Sequence, residues 1–193
     1  MPRRREVSDA QIIKAARKVF LEHGTQVPVT TVAKELGVSS ATLFARMGSK
    51  RGLISAALWP PDPPVLATLE QGITRAAPIE QQLLDILYEL ASYAGAEIPA
   101  TFTLYAAGLR AKPGEDFSDV APARLRRALA KWLRHAVLAG EIVCAPRTVA
   151  EVIIGTLEAR AMHAFIGRRP SSARETRAFI RALVATVLGR PVM

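Results

Sequence analysis

The sequence predicts an all-α protein: a three-helix helix-turn-helix head over residues 1–59 and a C-terminal helical bundle over 60–193. Three observations predict it. Apolar residues recur at spacings of three and four along most of the chain, and no alternating strand pattern rises above noise. The stretch Val27–Leu53, VPVTTVAKELGVSSATLFARMGSKRGL, reads as two short helices hinged on a glycine. Four prolines in the five residues Pro60–Pro64 then stop any helix and mark a domain boundary.

The head can be justified element by element. Ser8 or Asp9 caps a first helix that runs to His23 and stops at Gly24. Ile12, Ile13, Ala16, Val19 and Phe20 form its buried face, while Lys14, Arg17 and Lys18 lie on a solvated one. Pro28 suits the first position of a second helix, where its missing N–H costs nothing. Val29, Val32, Ala33 and Leu36 face inward from that helix. Gly37 supplies the sharp turn, Val38 plugs it, and Ser39 caps a third helix over Ser40–Arg46. Leu43 anchors this helix and leaves Ser40, Ala41, Thr42, Ala45 and Arg46 facing out. Short side chains on an exposed helix are what a DNA major groove can admit. Ser49 caps a fourth helix whose first turn carries Lys50 and Arg51. A helix N-terminus is an anion site, so Lys50 reads as a backbone phosphate clamp.

This pattern resembles the TetR-type transcriptional regulators. Val32-Ala33, Gly37-Val38-Ser39, Thr42-Leu43-Phe44, Met47, Lys50 and Leu53 fall in register with that family's signature, which covers the first quarter of the chain. The resemblance implies DNA contacts from Thr30, Thr31, Ser39, Ser40, Ala41, Thr42, Phe44, Arg46 and Lys50. Two departures stand out. Phe44 replaces a tyrosine and so lacks a hydroxyl for phosphate, and Pro28 replaces a small hydroxyl residue. Arg46 stands where a histidine is frequent, and it is long enough for either a bidentate guanine contact or a phosphate.

Beyond the prolines, helices are expected at about 64–76, 78–95, 99–110, 119–139, 147–166 and 173–189, with Ala111–Phe117 as a loop. In the fourth of these, Arg124, Arg126, Arg127, Lys131 and Arg134 form a basic face, read as solvated. The last two carry small-residue strips, Gly155 and Ala159 on one and Ala178, Ala182 and Ala185 on the other. These suit close helix packing in a four-helix bundle with a second copy. The family resemblance implies the same: a homodimer through helices about 147–166 and 173–189. It also implies a small-molecule effector pocket in the middle helices. Leu87, Tyr88, Ala91, Tyr105, Leu109, Trp132 and Met162 are its candidate lining, with Glu89, Glu97, His135 and His163 as polar anchors. Plain core is the competing reading for every one of them.

Composition bounds the function. The formal net charge of +9 favours a polyanionic partner. Residues 1–59 hold ten Lys/Arg against four Asp/Glu, and 60–193 hold sixteen against thirteen, so the charge concentrates on the head. Arg3, Arg4 and Arg5 make a basic arm suited to weak phosphate or minor-groove contact. The single cysteine, Cys144, excludes an intrachain disulfide and a cysteine-based zinc cluster. The three histidines lack metal-ligand spacing, and neither a phosphate loop nor a nucleophile elbow is present. No apolar leader follows the charged N-terminus, and the uncharged run Ile98–Leu109 is too short to span a bilayer. The expectation is a cytoplasmic, non-enzymatic, cofactor-free regulator that binds double-stranded operator DNA as a repressor released by an effector. The alternative is a helical interaction module that uses its basic head on acidic partners without reading sequence.

Overall fold

The computed structural model describes residues 7–109 and 121–190. The arm residues Arg3–Arg5, the loop 111–117 and the cap at Ser118 or Asp119 lie outside the described residues. Among the described residues nine helices form: α1 (Asp9–His23), α2 (Val29–Leu36), α3 (Ser40–Met47), α4 (Lys50–Leu58), α5 (Val65–Gln71), α6 (Ile79–Ala106), α7 (Ala121–Leu138), α8 (Pro146–Ile166) and α9 (Ala173–Val187). They fall into two compact units, one of residues 7–60 with 99–109 and the other of 61–98 with 121–190.

The N-terminal unit is built around α1. Ser8 caps it with a full capping box: the Ser8 hydroxyl accepts from the Gln11 N–H, and Gln11 Oε1 accepts from the Ser8 N–H. Val7 just before the cap and Ile12 in the first turn are both buried in the same cluster, a hydrophobic staple that fixes how the chain enters the helix. Ile12, Ala16 and Phe20 are fully enclosed, packed with Val32, Leu43, Leu53 and Leu58 from the next three helices. The charged side of α1 is not simply solvated. Lys18 Nζ pairs with Glu35 Oε1 of α2 at 2.7 Å, and Arg17 Nη1 donates to the Ala57 carbonyl of α4 at 3.4 Å. Pro28 stands one position earlier than expected, as the cap rather than the first residue of α2.

One boundary differs in kind. The expected separate helices at 78–95 and 99–110 are a single helix, α6, with Pro99 inside it. Proline has no N–H to donate to the Gly95 carbonyl, so one rung is lost. Continuous apolar contacts on both sides carry the helix through. The Thr103 hydroxyl adds a bond to the Pro99 carbonyl at 2.8 Å. Beyond Pro99, Ala100, Leu104 and Leu109 belong to the core of the N-terminal unit. The shorter α5 ends at Gln71, where Gly72 takes a positive φ of 78°.

The C-terminal unit packs α5, α6 up to Ile98, α7, α8 and α9 about Leu83, Leu87, Leu129, Trp132, Leu133, Ile153 and Ile180. The basic face of α7 is partly neutralised rather than solvated. Arg126 bridges to α8 through Nε to Glu151 Oε2 at 2.9 Å and Nη2 to Glu158 Oε2 at 2.6 Å. Burial pushes the Glu158 carboxyl above its ordinary range against the pull of Arg126. Arg124 pairs with Asp62 at 2.5 Å, and the Tyr93 hydroxyl donates to the Pro61 carbonyl at 3.0 Å, so the proline segment is tied to this unit. Arg190 pairs with Glu80. Replacing Trp132, 1 % exposed, by alanine is expected to destabilise this unit by about 3–5 kcal/mol, read as a lowered midpoint in chemical denaturation.

The turn from α3 into α4 is the tightest backbone approach among the glycines. A Cβ added at Gly52 would sit 2.3 Å from the Met47 carbonyl oxygen, which is main chain and cannot swing aside. Gly52→Ala is therefore expected to lower thermal stability and loosen the head. A melting temperature equal to wild type would show that the α3–α4 turn yields more easily than the geometry implies.

Candidate nucleic-acid interface

The presentation of α3 starts from its two ends. Gly37 closes α2 in the left-handed region at φ 67°, ψ 32°, a conformation open to glycine at little cost. The Val38 N–H bonds the Ala33 carbonyl at 3.0 Å and the Gly37 N–H bonds the Lys34 carbonyl at 3.2 Å, a Schellman closure. Ser39 then caps α3 by accepting from the Thr42 N–H at 3.2 Å, and its hydroxyl lies 2.9 Å from that of Thr42. Leu43, fully buried, is the single buried residue of the helix. The remaining face is left open: Ala41, Phe44, Ala45 and Arg46 are exposed, and Ser40 and Thr42 half-exposed. Phe44, at 42 % exposure, is the one large apolar side chain there.

Around this helix the other expected contact residues take distinct positions. Thr30 at the start of α2 and Ser39 are exposed, and Thr31 is half-buried. Ser49 accepts from the Gly52 N–H at 3.0 Å and so opens α4 with free N–H groups and Lys50 in its first turn. Lys50 Nζ donates to the Gln26 carbonyl at 3.2 Å, which leaves its charge unneutralised by that neutral partner. Arg46 differs. Its Nε pairs with Asp9 Oδ1 at 2.6 Å and its Nη1 donates to the Val7 carbonyl at 2.5 Å. Sequence spacing gave no signal for this link, because the partners lie more than thirty residues apart in the chain.

The effector candidates fall in both units. Leu87 and Trp132 are filled core of the C-terminal unit, with Tyr88 and Ala91 packed partly buried against it. Leu109 belongs to the core of the N-terminal unit, Tyr105 is 38 % exposed, and Met162 is half-buried. Among the polar candidates Glu89, His135 and His163 are exposed, and Glu97 is buried. The exposed His163 corrects its reading as a satisfied core histidine. A groove of about 380 Å³ lies in the head, lined by Val7, Gln11, Lys14, Ala15, Lys18, Glu35 and Leu36. Among the described residues no group of three His, Cys, Asp or Glu is placed to hold a metal ion, and no helix is long and apolar enough to cross a membrane.

Comparison with known proteins agrees with this geometry. The family model for bacterial regulatory proteins of the tetR family matches residues 12–57, which span α1 to the end of α4. No curated protein matches the chain in sequence. Among solved structures, the TetR family regulator PfmR from Thermus thermophilus superposes with a TM-score of 0.68 at 22 % identity, covering 93 % of this chain and 98 % of that one. FadR from Bacillus subtilis, solved in complex with stearoyl-CoA, gives 0.64 at 18 % identity over 94 % and 98 % of the two chains. The TetR regulator SCO0520 from Streptomyces coelicolor gives 0.53 at 26 % identity over 96 % and 100 %. In its head the chain matches the tetR family of bacterial regulatory proteins, and along nearly its whole length it has the fold of solved TetR family regulators.

Proposed function

We propose that the chain works as a homodimeric repressor that holds an operator through α3 of each copy and leaves it when a small molecule occupies the C-terminal unit. The observation that carries the DNA contact is the open face of α3, with short side chains at Ser40, Ala41 and Thr42, beside the Lys50-bearing N-terminus of α4. Base edges are read by the first, and the second grips phosphate. Thr30, Thr31, Ser39 and Phe44 border this face and supply sugar and phosphate contacts.

A dimer answers a problem of the C-terminal unit. α8 is apolar on two sides. Ala150, Ile153, Ile154 and Leu157 are buried, while Val152, Gly155, Ala159 and Ile166 follow at helical spacing on the opposite side, with Val152 55 % and Ile166 65 % exposed. A helix hydrophobic all round is a buried one, so this strip needs cover. The small residues Ala178, Ala182 and Ala185 lie on the side of α9 away from its buried Ile180 and Val184. A two-fold pairing of α8 and α9 covers both strips and presents two copies of α3 to two half-sites. Release by an effector is supported by the FadR relative that was solved with stearoyl-CoA. Linkage then requires the effector to favour the arrangement that cannot bind DNA.

Three outcomes test the reading. Lys50→Ala is expected to weaken binding to all duplexes alike and to flatten the plot of log K against log salt by about one. Thr42→Ala is expected to change preference among selected duplexes while leaving that slope alone; an unaltered preference assigns base reading elsewhere. Ala159→Glu is expected to convert a dimer to a monomer in sedimentation with helix content unchanged. A mutant that stays dimeric would remove α8 from the interface. Wild-type protein that binds mixed and selected duplexes equally would favour the sequence-blind interaction module instead.

A further inference from the structure

Arg46 is the one charged residue on α3, and it is engaged by groups of the head itself. Its guanidinium is held on two sides, by the Asp9 carboxylate at 2.6 Å and by the Val7 carbonyl at 2.5 Å. Asp9 opens α1, and Val7 immediately precedes the cap of that helix. An exposed ion pair by itself holds little, because two mobile side chains must be ordered for it. Here one of the two acceptors, the Val7 carbonyl, is already ordered. The Val7 side chain is 8 % exposed and packed in the head core, and the Ser8–Gln11 capping box fixes the backbone between Val7 and Asp9. The arginine's planar fork meets that fixed carbonyl and a short carboxylate side chain carried on a fixed backbone, with the carboxylate bond charge-assisted.

We propose that Asp9 and the Val7 carbonyl keep Arg46 off the DNA, making Arg46 a positioning residue that braces the last turn of α3 to the start of α1, and making Asp9 a determinant of specificity. This rests on the DNA-binding reading above and refines it. A long cation at the rim of a recognition helix takes any phosphate within reach, which raises affinity for every sequence equally. Neutralised in place by an internal carboxylate, it adds nothing to sequence-blind binding, and α3 meets the bases with its short side chains alone. Lys50 is the contrast, since its partner is the neutral Gln26 carbonyl.

The test is binding of the full chain to a mixed-sequence duplex, and to a duplex recovered by selection from a random library, each across a salt series. Four proteins are compared with wild type: Asp9→Ala, Arg46→Ala, the double variant and Lys50→Ala. Asp9→Ala is expected to bind the mixed duplex several-fold tighter, to steepen its salt slope by about one, and to narrow the ratio between the two duplexes. Arg46→Ala is expected to leave the mixed-duplex slope at the wild-type value, and the double variant to return to it. A purely structural role for the pair would move melting temperature without moving the slope, and would overturn the proposal. So would an Arg46→Ala slope flatter than wild type by about one, because that places Arg46 on DNA phosphate. Lys50→Ala keeps the two readings apart: its flattened slope upholds DNA binding by the head whatever Arg46 does, and an unchanged slope counts against the head itself.

Discussion

A recognition helix of eight residues cannot sustain itself, since isolated helices of that length do not offset the cost of their nucleation in water. Nor does α3 gain much stability by burial, because its outer face is open. Leu43 is its sole buried side chain. The helix is therefore fixed at its ends by the backbone: the left-handed Gly37 closure and Ser39 cap before it, the Gly52 approach and Ser49 cap after it. Those constraints determine where the short side chains point, and everything proposed for the head follows from that direction.

The C-terminal unit obeys the opposite logic. Its core holds Trp132 and a layer of leucine and isoleucine from five helices, and several of its charged side chains tie separate segments together. Arg126 is the clearest case: two carboxylates of α8 meet one guanidinium of α7, and one of them sits where burial disfavours its charge. Apolar side chains also stay exposed in this unit, among them Val152 and Ile166 on the outer strip of α8.

The head was legible because its signals are local. A cap, a glycine and an inward leucine lie within a few residues of one another, so Gly37, Ser39, Leu43 and Ser49 can be read in register from the chain alone. The Arg46–Asp9 link and the Arg126 bridges were not, because they join residues distant in sequence and no spacing rule connects them. The same holds for the arginines of α7, whose regular spacing says only that they share a side. Pro99 misled for a different reason. A proline weakens a helix by a fixed local amount, and whether the helix survives depends on tertiary packing invisible at that position. Side-chain size and polarity do not by themselves separate a pocket-lining residue from a packed one such as Leu87, which is buried in the core.

The passage of α6 through Pro99 into the head core has an implication for how such chains can be recombined. Ala100, Leu104 and Leu109 enclose side chains contributed by the first sixty residues, and a buried leucine contributes about 1.5–3 kcal/mol. A fragment cut at the proline-rich segment would carry every side chain proposed for DNA contact and yet lack part of its own interior. The reading head is thus not a portable cassette: grafting it onto another regulator means carrying over the far end of a helix encoded some forty residues downstream of the cut.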